Sequence, residues 1–172
     1  ALRSGSVKTS VPVDLKRWWQ ADLGGRLSSV VVADGKVHLV SDDGCLYCLR
    51  LDDGGQEWRF RGGPAADKVL GNGRLISAWC ARGGPVVEDG IVYFAASIWP
   101  FMGIFIHAVD MATGEAIWTN SGSGSDYIVQ QHNSPAFAGV APQGYLAVSD
   151  DLLLVSGGMT VPAAYDRRTG QL

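Results

Sequence analysis

Glycine stands four residues before tryptophan in two segments of the chain, CLRLDDGGQEW (48–58) and AVDMATGEAIW (108–118), and a third segment, AAYDRRTGQL (163–172), carries its glycine at 170. Each segment follows an earlier turn signal, at Asp34-Gly35, Asp89-Gly90 or Asp150-Asp151. From the second residue of that turn to the late glycine the distance is 19 residues in the first copy (35 to 54), 24 in the second (90 to 114) and 19 in the third (151 to 170). Spacing this regular constrains the chain more than any other feature, because a fixed long period marks one supersecondary unit used repeatedly.

The unit itself can be read from the first copy. Asp34-Gly35 between apolar runs signals a two-residue type I′ hairpin, whose central residues need positive φ. It predicts paired strands over 28–33 and 36–41. Asp42-Asp43-Gly44 then leads into a strand over 45–50, and Asp52-Asp53-Gly54-Gly55 into a short outer strand carrying Trp58. Gly supplies 23 of 172 residues, and the longest stretch free of Gly and Pro is 12 residues (145–156), so no long helix is expected. The predicted class is all-β, built of four-stranded antiparallel units.

AVDMATGEAIW resembles the tryptophan-docking motif of the pyrroloquinoline-quinone-type propeller repeat, A-x-D-x-x-T-G-x-x-x-W, through Ala108, Asp110, Thr113, Gly114 and Trp118. The third copy keeps Ala164, Asp166, Thr169 and Gly170; the first has Cys48, Arg50 and Asp53 in place of Ala, Asp and Thr. The resemblance implies a β-propeller, usually of about eight blades, found in quinoprotein dehydrogenases and in non-enzymatic relatives such as the outer-membrane assembly lipoprotein propeller. It implies a periplasmic or cell-envelope location. On this reading the chain is a propeller arc of about three blades: the tail of a preceding blade over 1–23, a blade over 24–62, a blade with enlarged loops over 63–122 and a truncated blade over 123–172, with the remaining blades of the ring as partners.

The motif also has a physical account. A blade cannot bury both faces alone, so its neighbours supply the core, and a large aromatic on the outer strand can wedge between blades. Trp58 and Trp118 are therefore structural, and Asp and Thr ahead of a glycine hold the turn backbone by side-chain hydrogen bonds.

Binding residues are sought where the repeat is enlarged. Tryptophan to the next first-turn Asp spans 15 residues (19 to 34), then 31 (58 to 89), then 32 (118 to 150), and five additional residues of the second copy fall between its second and third strands. In an up-and-down blade all three enlargements project from one end, and long loops on a rigid scaffold collect ligand residues. They supply Arg74, Trp79 and Arg82 from 73–84, Trp99 from 97–105, and Tyr127, Gln131 and His132 from 122–144. For any one of these residues, satisfying loop backbone is the simpler role. Together they form the kind of patch that receives a protein, peptide or carbohydrate ligand.

Other chemistries find little support. Cys45 and Cys48 point to opposite faces of a strand, so they cannot share a metal or a short disulfide, and Leu49 excludes a haem attachment motif. A net charge of −3 lacks the basic footprint of a nucleic-acid surface. No apolar run has the length of a membrane span. His38 and His107 alternate on strands and are expected at blade-packing or surface positions. Two functions from different classes remain: a binding or scaffolding propeller with no catalytic residue, metal or cofactor, or part of a PQQ-dependent dehydrogenase, which resemblance would equip with quinone and calcium.

Overall fold

A computed structural model describes residues 14–71, 73–97, 99–124, 126–129, 131–137, 139–157 and 162–172. The first unit is a four-stranded antiparallel sheet in chain order, β1 (Val31–Ala33), β2 (Lys36–Val40), β3 (Cys45–Arg50) and β4 (Gln56–Arg61). Asp34 and Gly35 have φ of 47° and 71°, the left-handed values that a type I′ hairpin requires. The inner strand is shorter than its apolar run predicts. Val40 N donates to Ser28 Oγ at 3.1 Å, so a side chain takes over a ladder position and the regular strand starts at Val31.

The connection to the next blade forms a hairpin of its own, β5 (Lys68–Gly71) with β6 (Arg74–Ser77). The second blade follows as β7 (Val86–Glu88), β8 (Ile91–Ala96), β9 (Phe105–Asp110) and β10 (Ala116–Asn120), with a 3-10 turn at Pro100–Met102 between β8 and β9. A second crossover hairpin, β11 (Tyr127–Val129) with β12 (Pro135–Phe137), precedes the three-stranded sheet of β13 (Pro142–Ser149), β14 (Leu152–Gly157) and β15 (Ala163–Asp166). The crossovers were expected as loops; each instead pairs with itself, which satisfies its backbone locally.

Register shows how the blades stack. Val31, His38, Cys48 and Trp58 align across the first sheet, and Val86, Tyr93, Ala108 and Trp118 align across the second. Each row faces the following blade. One core cluster joins the first two blades through Val40, Leu46, Val92, Phe94 and Val109. Another joins the second and third through Tyr93, Ile106, Leu153, Val155 and Tyr165. The opposite face of the first blade is covered by Trp19, Ala21 and Leu23. Among the described residues no core cluster joins the first blade to the third, so the stack is an open propeller arc.

The tryptophans close each interface at its rim. Trp58 Nε1 donates to Met111 O at 3.2 Å, Trp118 Nε1 to Arg167 O at 2.9 Å and Trp19 Nε1 to Leu51 O at 2.7 Å. Each acceptor lies three residues before the late glycine of the next copy. The indoles lie over those glycines, where a Cβ at 114 would come within 2.6 Å of Trp58, and one at 170 or 54 within 2.5 Å of Trp118 or Trp19. With φ of 76°, 72° and 73°, Gly114, Gly170 and Gly54 meet both demands, left-handed backbone and a missing side chain. Asp110 Oδ1 accepts from Ala112 N, Thr113 N and Thr113 Oγ1, and Asp166 Oδ1 from Arg168 N, Thr169 N and Thr169 Oγ1. In the first copy a bidentate Arg50–Asp53 pair takes their place, at 3.0 and 2.8 Å, and the turn survives with Gly54 N donating to Arg50 O.

Candidate functional site

The first and third turns of each blade meet at one end. Leu51 N donates to Gly35 O, Met111 N to Gly90 O and Arg167 N to Asp151 O. Antiparallel alternation puts the second turns and the crossovers at the other end. There Ser77 N donates to Asp42 O at 2.8 Å, Ala81 N to Ser41 O at 3.2 Å and Ser97 N to Cys80 O at 3.0 Å. Trp99, between β8 and β9, therefore lies at the opposite end of its blade from Gly114. The β11–β12 hairpin leaves and rejoins the blades at that same opposite end, and His132 sits at its tip.

Asp42 organises the loop end. Its Oδ1 accepts from Arg26 N at 2.8 Å and its Oδ2 from Arg74 Nε at 3.0 Å, with Arg74 Nη2 completing the ion pair. One carboxylate thus joins the segment before β1 to the first crossover hairpin. Above it opens a cleft of about 310 Å³ lined by Arg26, Leu27, Ser28, Asp42, Arg74, Ala81, Arg82 and Gly83. Arg74 and Arg82, both expected from the sequence, meet here. Arg26 and Asp42 were missed, because a lone arginine before a strand and an aspartate in a turn carry no signal of their own.

Trp79, also expected at the ligand surface, has contacts within the molecule. It packs on Gly63, where a Cβ would come within 2.6 Å of its own, and its Nε1 donates to Met102 O at 2.8 Å, so it ties the crossover to the 97–104 loop. Trp99 and Phe101 are half exposed or more, with ring centroids 5.9 Å apart. Tyr127 and His132 are exposed on the second crossover. The left-handed backbone of His132 and Asn133, φ 75° and 58°, forms the hairpin tip. The side chain of Gln131, and Gln130 altogether, lie outside the described residues.

Two histidines and three cysteines are buried and kept neutral. His38 is fully buried beside Trp58, with centroids 5.7 Å apart. Burial, reinforced by Lys36, pushes its pKa down to about 4 against a weaker opposing pull from Glu57. His107 is stacked on Phe94 at 4.8 Å, bonded to Thr119 Oγ1 and Gly62 O at 2.9 Å each, and held at about 4 by burial. Both are blade-packing residues. Burial also raises the Cys45, Cys48 and Cys80 thiols, with Cys48 at about 11, so none is a ready nucleophile.

Blades of four antiparallel strands, rim tryptophans seated on the next blade's turn and repeat motifs at fixed spacing define a PQQ-like β-propeller repeat protein. The family model described as outer membrane protein assembly factor BamB matches residues 4–172, and the chain belongs to that family. Among solved structures, the chain is similar to a europium-containing methanol dehydrogenase (17% identity, TM-score 0.55, covering 83% of this chain and 30% of that one). It is also similar to quinohemoprotein alcohol dehydrogenase ADHIIG from Pseudomonas putida HK5 (20%, 0.59, 90% and 21%) and to quinohemoprotein alcohol dehydrogenase from Comamonas testosteroni (18%, 0.57, 83% and 26%). These likenesses show the fold, and the chain spans less than a third of each of those proteins. A comparison with curated proteins finds no match. The described residues gather no group of three or more His, Cys, Asp or Glu able to hold a metal ion.

Proposed function

We propose that the chain belongs to a non-enzymatic scaffolding propeller at the cell envelope, whose loop end receives a protein or peptide partner. The observation that carries this is the one-sided layout of the molecule. Both crossover hairpins and the enlarged β8–β9 loop open at a single end, which exposes Trp99, Phe101 and Tyr127 and also carries an arginine-lined cleft, while the opposite end is closed by short, self-bonded turns. Exposed aromatics and arginines are the side chains that anchor protein interfaces. The family description as an assembly factor supports a protein partner.

The dehydrogenase folds favour a second reading, in which the chain is part of a PQQ-dependent dehydrogenase. Two measurements on the full-length protein separate them. Partner capture from cell-envelope extracts is expected to fall when Trp99 and Tyr127 are both replaced by alanine, while the fold is retained. Dye-linked alcohol oxidation is expected to stay at background after addition of pyrroloquinoline quinone and calcium. Quinone-dependent dye reduction would establish the dehydrogenase instead.

A further inference from the structure

We infer that the cleft between Arg26, Arg74 and Arg82 is a carboxylate-binding site. The inference rests on the loop-end reading and supplies the chemistry of its ligand. Cations at the two ends of the blades are treated differently. At the turn end Lys36 pairs with Glu57 at 2.6 Å, Arg50 with Asp53 at 2.8 Å, Arg167 with Asp89 at 2.5 Å and Arg168 with Asp151 at 2.9 Å. At the loop end Arg74 alone of the three cleft arginines has a carboxylate, that of Asp42, and none lies within ion-pairing distance of Arg26 or Arg82 among the described residues. Three arginines line the cleft against one carboxylate, a formal excess of two positive charges, on a chain whose net charge is −3.

The cleft is built rather than incidental. Asp42 fixes the Arg26 backbone and the Arg74 side chain by hydrogen bonds at 2.8 and 3.0 Å. Arg82 follows Ala81, whose N–H is bonded to Ser41 O and which bridges to Ala96. Two of the three arginine positions are thus anchored on one turn, and the third on a strand bridge. Guanidinium forks match the planar two-oxygen edge of a carboxylate, and pairing of that kind is stronger and more directional than a lysine contact. Asp42 lines the same wall and repels a second full negative charge close by, which favours carboxylate over the more highly charged phosphate. A volume of about 310 Å³ accepts a small dicarboxylate or the acidic side chain of a peptide. Both present the same group.

Binding to the full-length protein is measured by calorimetry with three probes: an Asp- and Glu-rich hexapeptide, succinate and inorganic phosphate. The peptide or succinate is expected to bind with an affinity that falls as salt rises. Replacing Arg26 and Arg82 together by Gln is expected to weaken that binding by roughly tenfold or more, the scale of losing charge-assisted hydrogen bonds, without moving the melting midpoint. Arg82→Lys, which keeps the charge but not the fork, is expected to fall between. Tighter binding of the peptide than of succinate identifies a protein segment as the source; the reverse identifies a free acid. Equal affinity in wild type and in the Gln variant, phosphate binding as tight as carboxylate, or no binding of any probe at millimolar concentration would each overturn the assignment. Partner capture that still depends on Trp99 in those cases would leave the scaffolding function standing.

Discussion

Acidification is expected to loosen the interface between the first two blades before it affects the rest of the molecule. His38 projects from the first blade and His107 from the second into that one interface, and both are buried, at 0% and 3% exposure. Each pKa lies near 4 in the folded chain against an ordinary value of 6.5. The unfolded chain therefore binds protons that the folded chain refuses between those two values. Stability is complete above about pH 6.5, declines as the pH falls below it and reaches its full loss near pH 4. A displacement of this size corresponds to roughly 3 kcal/mol per imidazole, of which more than half is already lost at pH 5. The groups facing His38 are Lys36 and Glu57, whereas His107 meets only the Gly62 carbonyl, the Thr119 hydroxyl and phenylalanine rings. Urea unfolding at pH 7, 6 and 5 measures the slope, and the double variant His38→Phe/His107→Phe is expected to flatten it across this window. Because those substitutions could disturb packing, the imidazole resonances of the wild type give an independent check: they are expected to titrate near pH 4. Imidazoles titrating near 6.5 in the folded protein would refute the burial account.

The rim and the loop end should respond differently to truncation. Trp118→Ala is expected to cost about 3–5 kcal/mol, since the indole covers Gly170 and donates to Arg167 O, while Trp99→Ala is expected to cost well under half of that in the same thermal melt. Gly114→Ala is expected to destabilise by roughly 1–3 kcal/mol from left-handed backbone strain, with a displaced Trp58 read as a change in tryptophan fluorescence. On the third blade Ala147, Leu154 and Ala164 form the row that corresponds to the tryptophan-bearing rows of the other two, and all three are exposed. The isolated 172-residue chain is accordingly expected to self-associate in sedimentation, and Leu152→Thr/Leu154→Thr to reduce that association.

Turn chemistry and repeat spacing are local properties, which is why the blades were legible in the sequence. Asp34-Gly35 specifies its hairpin within four residues, and the same signal returns at Asp89-Gly90 with φ of 50° and 73°. Alternation along 45–50 separates Cys45 from Cys48 without knowledge of any neighbour, and the two thiols do face different layers. The wedge role of Trp58 and Trp118 follows from their size and their place on the outer strand. Their partners do not, because the acceptor carbonyls lie 53 and 49 residues away along the chain, and only the stacking of one blade on the next brings them within reach. The crossover hairpins were read as loops because their strands are only three or four residues long, too short to show alternation. Histidine at positions 38 and 107 is consistent with a surface as well as with a core; packing against Trp58, Phe94 and Phe105 decided for the core. The arginine cleft is wholly tertiary. Arg26, Arg74 and Arg82 share no motif or spacing, and they converge because Asp42, in a turn between two strands, accepts hydrogen bonds from both the segment that enters the first blade and the crossover that leaves it.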